Sequence, residues 1–215
     1  MGTRRNPGRA ARDRAASHIR VMMSGLGFAL FETAIGCCGI VWSERGIAGV
    51  QLPEGSAERT KRRILRRFPA AIEAAPPAEA RRIIDEIVAL LGGERKDFGD
   101  AILDMEAVPE FHRRVYALAR AIPASRTVSY GEIAKRLGDR GLARDVAQAL
   151  GQNPFPVIVP CHRVVAAGGK TGGFSAPGGV RTKLRLLSIE GAQSAEPTLF
   201  AGLPWATRPQ RRGGR

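Results

Sequence analysis

Cys161 and His162 stand side by side within "NPFPVIVPCHRVVAAGGKTGGFSAPGG", which runs from Asn153 to Gly179. A thiol becomes a nucleophile when its pKa drops from about 8.5 and its sulfur can be reached. A neighbouring imidazole, directly or through a water, can do the first. Val157, Ile158 and Val159 form a short apolar run that Pro160 stops, so the pair is expected where the backbone leaves the core, ahead of a glycine-rich loop. Taken alone, the dipeptide reads more readily as a packed thiol and a loop histidine than as a reactive couple.

Something must position that pair, and 215 residues allow one large domain or two small ones, either able to bury a core. Hydrophobic content of 44% and charged content of 25% are ordinary for a globular protein. No apolar stretch approaches the ~20 residues of a membrane-spanning helix. With only three cysteines, two of them the adjacent Cys37 and Cys38, a disulfide framework is not expected and a reducing, cytoplasmic setting is. The arginine-rich start lacks the apolar core of a secretory signal. An organelle transit peptide, a disordered basic tail and a true start at Met22 or Met23 all remain open.

The net charge of +14 is unevenly placed. Residues 1–20 carry six arginines and Asp13, for +5, and residues 208–215 add four arginines. Residues 21–107 hold 11 basic and 13 acidic side chains (−2), whereas residues 108–207 hold 13 and 6 (+7). A basic second half beside a faintly acidic first half points to a polyanion bound by the second.

Residues 28–52, "FALFETAIGCCGIVWSERGIAGVQL", predict three short strands in an antiparallel meander, with Cys37 and Cys38 in a strand. Two helices follow, one lined by Ile64, Leu65 and Phe68, the next by Ile83, Ile84, Ile87, Leu90 and Leu91 and ended by Gly92-Gly93. A strand near 101–105 closes this α+β unit, and Pro109 starts a helix with Phe111, Val115, Leu118 and Ala119 on its buried face. "SYGE" from Ser129 to Glu132 is a capping-box pattern opening a helix through Leu137. After the "GDRG" turn, Leu142, Val146, Ala149 and Leu150 line a further helix closed by Gly151. Two short helices about a tight turn suggest a helix-turn-helix, with Arg144, Ala147 and Gln148 on the outer face. An ordinary helical hairpin fits the same pattern.

The order "SYGEIA" (129–134), Arg144, "NPFPVIVPCHRV" (153–164), "GGFS" (172–175) and "IEG" (189–191) resembles the O6-alkylguanine-DNA alkyltransferases, or methylated-DNA–protein-cysteine methyltransferases. "FALFETAIG" and "GIAGVQL" resemble that family's N-terminal part. The resemblance implies an α/β N-terminal domain resembling ribonuclease H, then a mainly α domain with a helix-turn-helix, winged-helix-like. The domain limits are then 1–24, a basic tail expected to be disordered; 25–107, the α/β domain; 108–193, the DNA-binding and alkyl-acceptor domain; and 194–215, a second basic tail.

The resemblance further implies direct DNA repair: irreversible, single-turnover transfer of an alkyl group from O6 of guanine, less readily O4 of thymine, to Cys161. His162 would take the thiol proton through a water, and Glu190 would orient the imidazole. Tyr130 would donate to the flipped base, and Arg144 would fill the stack the base leaves. The backbone at Cys161 and Val164 would accept from the guanine amine, and Ser175 would meet the oxygen that loses its alkyl group. Asn153 would tie the recognition helix to the active-site turn. Phe174, standing where some members have tyrosine, and Ser129, opening the Tyr130 helix, join the DNA- and substrate-binding set. The partner implied is double-stranded DNA containing alkylated guanine, with no membrane, a monomeric chain, and cytoplasmic placement (at the nucleoid, if bacterial).

Asp145, Ala147 and Gln148 depart from the alanine and glycines of many members' recognition helices. Adjacent Cys37 and Cys38 cannot supply a tetrahedral zinc site unaided, and His18 and His112 lie far off in sequence, so neither metal nor cofactor is expected. Two other functions compete: an alkyltransferase-like protein that binds lesions without transfer, and a cysteine hydrolase. Relatives of the first kind replace the cysteine that this chain keeps, and the second has no use for Arg144.

Overall fold

The computed structural model describes residues 25–169 and 171–192, so the basic tails predicted over 1–24 and 194–215 lie outside the described residues. The described residues form two compact units.

The first unit comprises residues 25–88, 98–107 and 154–156. Its sheet contains β1 (Gly27–Thr33), β2 (Gly36–Ser43), β3 (Gly46–Gln51) and β4 (Ile72–Glu73), in the order β3-β2-β1-β4. The predicted meander is present, with Cys37 and Cys38 in β2. β2 is internal to the sheet, and five of its residues in a row, Cys38 and Gly39 through Trp42, are buried, which explains its unbroken apolar run. α1 (Ala57–Arg67) starts at Ser56, whose hydroxyl accepts from the Arg59 N–H, and crosses the sheet where Gly39 leaves room for Ile64. A Cβ at Gly39 would collide with the Ile64 side chain, so a glycine in the central strand is what allows this close approach. Phe28, Val41, Ile64 and Ala71 form the core there, with Phe68 packed against it. α2 (Ala78–Leu91), of which residues 78–88 belong to this unit, buries Ile83, Ile84, Ile87, Leu90 and Leu91, the predicted stripe.

One element goes unpredicted in this unit, and one expectation fails. β4, which pairs in parallel with β1, is only two residues long and carries no periodic signal. The strand expected at 101–105 is a single parallel bridge between Ile47 and Leu103. The Asp104 carboxylate accepts from the Glu106 N–H at 3.2 Å and turns the chain away after one pairing.

The second unit comprises residues 89–97, 108–153 and 157–192. α3 (Glu110–Arg120) begins after Pro109 and buries Val115, Tyr116 and Ala119. Phe111 and Leu118 are only partly covered, because the face turns toward Tyr116, whose hydroxyl donates to the Ala149 carbonyl at 2.9 Å. α4 (Tyr130–Arg136) carries the predicted capping box in full, with Leu137 as its C-cap. A 3-10 turn (Arg140–Leu142) leads into α5 (Ala143–Gly151), which buries Val146, Ala149 and Leu150 and exposes Arg144 and Gln148. Gly151 lies inside the last turn of α5 instead of ending it; Gln152 is the cap, its N–H bonding back to Gln148 and Ala149. β5 (Val128–Ser129) pairs in parallel with β6 (Val164–Val165), and α6 (Val180–Ile189) closes the described chain.

Candidate active site

All of the predicted site residues fall in the second unit. Pro160 feeds a 3-10 turn over Cys161–Arg163, held by Cys161 N–H to Val159 O at 2.8 Å and Arg163 N–H to Pro160 O at 2.9 Å. The preceding Val157–Val159 run is a buried turn, with Val157 at φ 77°, a left-handed conformation costly for a β-branched residue. Contrary to the expectation above, the chain does not leave the core at the reactive pair. Cys161 is only 8% exposed and His162 is fully buried. Val157, Ile158 and Val159, all buried, lead directly into the pair.

Asn153, two residues past α5, donates from Nδ2 to Val159 O at 2.8 Å, and its side chain also hydrogen-bonds the Cys161 sulfur. It therefore clamps both sides of the turn. The β5–β6 pairing sets Val128 opposite Val164 and Ser129 opposite Val165, which brings the start of α4, and so Tyr130, alongside the chain leaving the reactive turn.

α6 presents Lys183, Leu186 and Leu187 on its buried face, with Glu190 as its C-cap, at i, i+3, i+4 and i+7. Glu190 Oε1 lies 3.0 Å from His162 Nε2. Arg163 grips the same carboxylate, Nη2 to Oε1 at 2.8 Å and Nε to Oε2 at 2.9 Å, and its Nη1 donates to Ile122 O at 2.6 Å. Burial pushes the Glu190 carboxyl up, but the bonds from His162 and Arg163 outweigh it and hold the group down at about 2. Glu190 is therefore a carboxylate that accepts from Nε2–H. That tautomer leaves a lone pair on Nδ1, which is buried without a hydrogen-bond partner among the described residues. Burial pushes the imidazole pKa down, against the pull of Glu190, so the ring is a neutral base at physiological pH.

Burial also pushes the Cys161 thiol up, while Asn153, Lys183 and the backbone N–H groups of Cys161 and His162 act to lower it. Lys183 is itself fully buried, its Nζ donating to Val164 O at 2.6 Å and lying 5.8 Å from the centre of the Tyr130 ring. Gly172, at φ 66°, comes so close that a Cβ there would stand 3.2 Å from that ring, which brings the glycine-rich loop against Tyr130.

Cys161, His162, Glu190, Asn153, Val164 and Tyr130 are thus one connected cluster. Ser129 is its support, as the N-cap of α4. Arg144 stands exposed on α5, Phe174 is partly covered, and Ser175 is exposed with its hydroxyl against Gly151. Among the described residues no hydrogen bond links these three to Cys161. Sequence reasoning passed over Arg163 and Lys183. Lys183 did leave a signal, a cation on an otherwise apolar helix face. No group of three or more His, Cys, Asp or Glu among the described residues is placed to hold a metal. The cluster is a thiol, a neutral base and a fixed carboxylate beside a phenol: machinery for attack by sulfur on an electrophilic carbon.

Residues 110–192 match the family model of the 6-O-methylguanine DNA methyltransferase DNA-binding domain. A methylated-DNA–protein-cysteine methyltransferase of Methanothermobacter thermautotrophicus is 36% identical over 153 residues, covering 71% of this chain and 78% of that one. A DNA base-flipping protein of Thermus thermophilus is 41% identical over 127 residues, 58% of this chain and 84% of that one. Among solved structures, the Mycobacterium tuberculosis OGT in complex with DNA superimposes with a TM-score of 0.60 at 31% identity, covering 76% of this chain and 92% of that one.

Proposed function

The chain belongs to the methylated-DNA–protein-cysteine methyltransferase family, and from that premise we infer that it repairs DNA by direct reversal of damage, transferring the alkyl group of O6-alkylguanine irreversibly to Cys161. The observation that carries this reading is the Cys161–His162–Glu190 cluster, held on a base that keeps Nδ1 available while Nε2 is committed to Glu190.

The thiol proton passes through a water to His162 Nδ1, and Glu190 balances the imidazolium. The thiolate then attacks the alkyl carbon; the S–C bond forms, the C–O6 bond breaks, and its electron pair leaves with the guanine. The Tyr130 hydroxyl donates to the base as it departs, and overall the thiol proton ends on guanine. A thioether has no leaving route, so each molecule acts once. The carbonyls of Cys161 and Val164 accept from the guanine amine, and Ser175 faces O6.

Reaching a base inside duplex DNA requires flipping it out, at a cost of a few kcal/mol. Exposed Arg144 and Gln148 on α5 support a helix-turn-helix reading of α4 and α5, with Arg144 filling the vacated stack and Phe174 lining the pocket. We extend the reading to a ribonuclease H-like first domain over 25–107, a winged-helix-like second over 108–193, a monomer, and a cytoplasmic or nucleoid location. The alternative, lesion binding without transfer, draws on the similarity to the base-flipping protein. The presence of Cys161 next to His162, whose ring is held by Glu190, speaks against it.

Intact-mass measurement after mixing with a duplex containing O6-methylguanine separates the two. A gain of one methylene per molecule, mapped to Cys161, is expected. An unchanged mass with tight binding would transfer the case to the alternative.

A further inference from the structure

Lys183 takes no part in the mechanism just described, yet it is fully buried. Removing an ammonium from water costs several kcal/mol unless a partner compensates. Its one hydrogen bond among the described residues goes to a neutral acceptor, the Val164 carbonyl at 2.6 Å. It is also the fourth residue of α6, near the helix end that disfavours a cation. Packing alone is served better there by leucine or methionine.

The charged and titratable groups around it leave one candidate partner. Glu190, seven residues along the same helix, is committed to His162 and Arg163. Arg163 and the imidazole of His162 offer no negative charge. The Tyr130 phenol, whose ring lies 5.8 Å from Nζ, is pushed up by burial and stays neutral. What remains is the sulfur of Cys161.

We propose that Lys183 is a positioning residue for the alkyl transfer, its buried ammonium being the counter-ion of the Cys161 thiolate while its hydrogen bond fixes the Val164 carbonyl. The proposal rests on the transferase reading above. When the thiol proton moves to His162, two opposite charges appear in the core. One face of α6 meets both: Lys183 faces the anion, and Glu190 the cation. Burial lowers the Lys183 pKa to about 8, which still leaves the group mostly charged at neutral pH. A nearby opposite charge moves a pKa by roughly 1–3 units, so the lysine is suited to offset the burial that raises the thiol.

The test follows the full chain in two reactions over pH 6 to about 9.5: carboxamidomethylation of Cys161 by iodoacetamide, read by peptide mass, and single-turnover methyl transfer from an O6-methylguanine duplex. Lys183→Gln removes the charge while retaining an N–H donor at that position. The apparent thiol midpoint is expected to rise by about one unit or more, slowing both reactions at pH 7 about tenfold or more. Lys183→Arg is expected to restore most of the rate. Lys183→Met serves the same comparison if the glutamine variant does not fold, with circular dichroism as the check. An unchanged midpoint in a folded neutral variant, or an arginine variant as slow as the neutral one, overturns the proposal. If that happens while the wild type transfers methyl, the transferase reading stands alone. If the wild type transfers nothing but its iodoacetamide midpoint depends on Lys183, the ion pair stands and the transferase reading falls.

Discussion

Arg163 holds the Glu190 carboxylate with two parallel hydrogen bonds, and His162 must share Oε1 with it. The base of the proposed relay is therefore aimed by a carboxylate that is itself immobilised. Glu190→Gln leaves a buried guanidinium facing an amide, so stability should fall by about 3–5 kcal/mol, the cost of breaking a buried pair. Transfer should slow by about 10²-fold or more, the usual contribution of a positioned base. Thermal denaturation and single-turnover rates check both. An unchanged melting temperature would show that the pair contributes nothing.

The same pair fixes a pH dependence. Glu190 sits at about 2 in the fold and near 4.3 when unfolded, so its stabilisation is complete above pH ~4.3 and is lost as pH falls toward 2. His162 is held below its ordinary value by burial. It takes up a proton on unfolding below pH ~6.5, so acid again favours the unfolded chain. Urea denaturation at pH 7, 5.5 and 4 should show stability declining at each step. His162→Asn should flatten the part between pH 7 and 5.5.

Stoichiometry distinguishes a transferase that consumes itself from a hydrolase. Methyl transferred should plateau at one per protein molecule, and Cys161→Ser should abolish transfer while retaining lesion binding. Repeated turnover by the purified protein would exclude a thioether end point.

Arg144 is exposed on α5. If it holds the flipped state, Arg144→Ala should sharply slow repair of duplex DNA but leave reaction with free O6-benzylguanine nearly unchanged, because a free base needs no flipping. Equal losses on both substrates would assign Arg144 to the fold.

Residues 1–20 and 208–215 carry +9 of the +14 net charge. Contacts from them would reach phosphates and release counterions, at ~0.9 log unit of affinity per contact per log unit of salt. Trimming both segments should weaken DNA binding and flatten its salt slope while preserving the preference for alkylated DNA and the rate at saturating DNA. A salt titration beside single-turnover transfer reads these outcomes. An intact salt slope would mean the segments do not touch DNA.

Much of this protein was legible from residue order because its signals are local. The three strands of the meander follow from runs of apolar residues broken by turns, and α4 from the Ser129–Glu132 box, each needing only a few neighbouring residues. The Cys161-His162 pair gained its meaning from other short motifs in a fixed order. Tertiary structure alone decided what surrounds the pair. It put the thiol inside the core, replaced the expected strand at 101–105 with one bridge, and turned the α3 face toward Tyr116. It also joined Arg163 to Glu190 across 27 residues of chain and Lys183 to Val164 across 19. A charged side chain has no periodicity of its own, and its effect depends on which distant group desolvates or pairs with it. Those two buried cations act through such partners, so only the folded chain could reveal them.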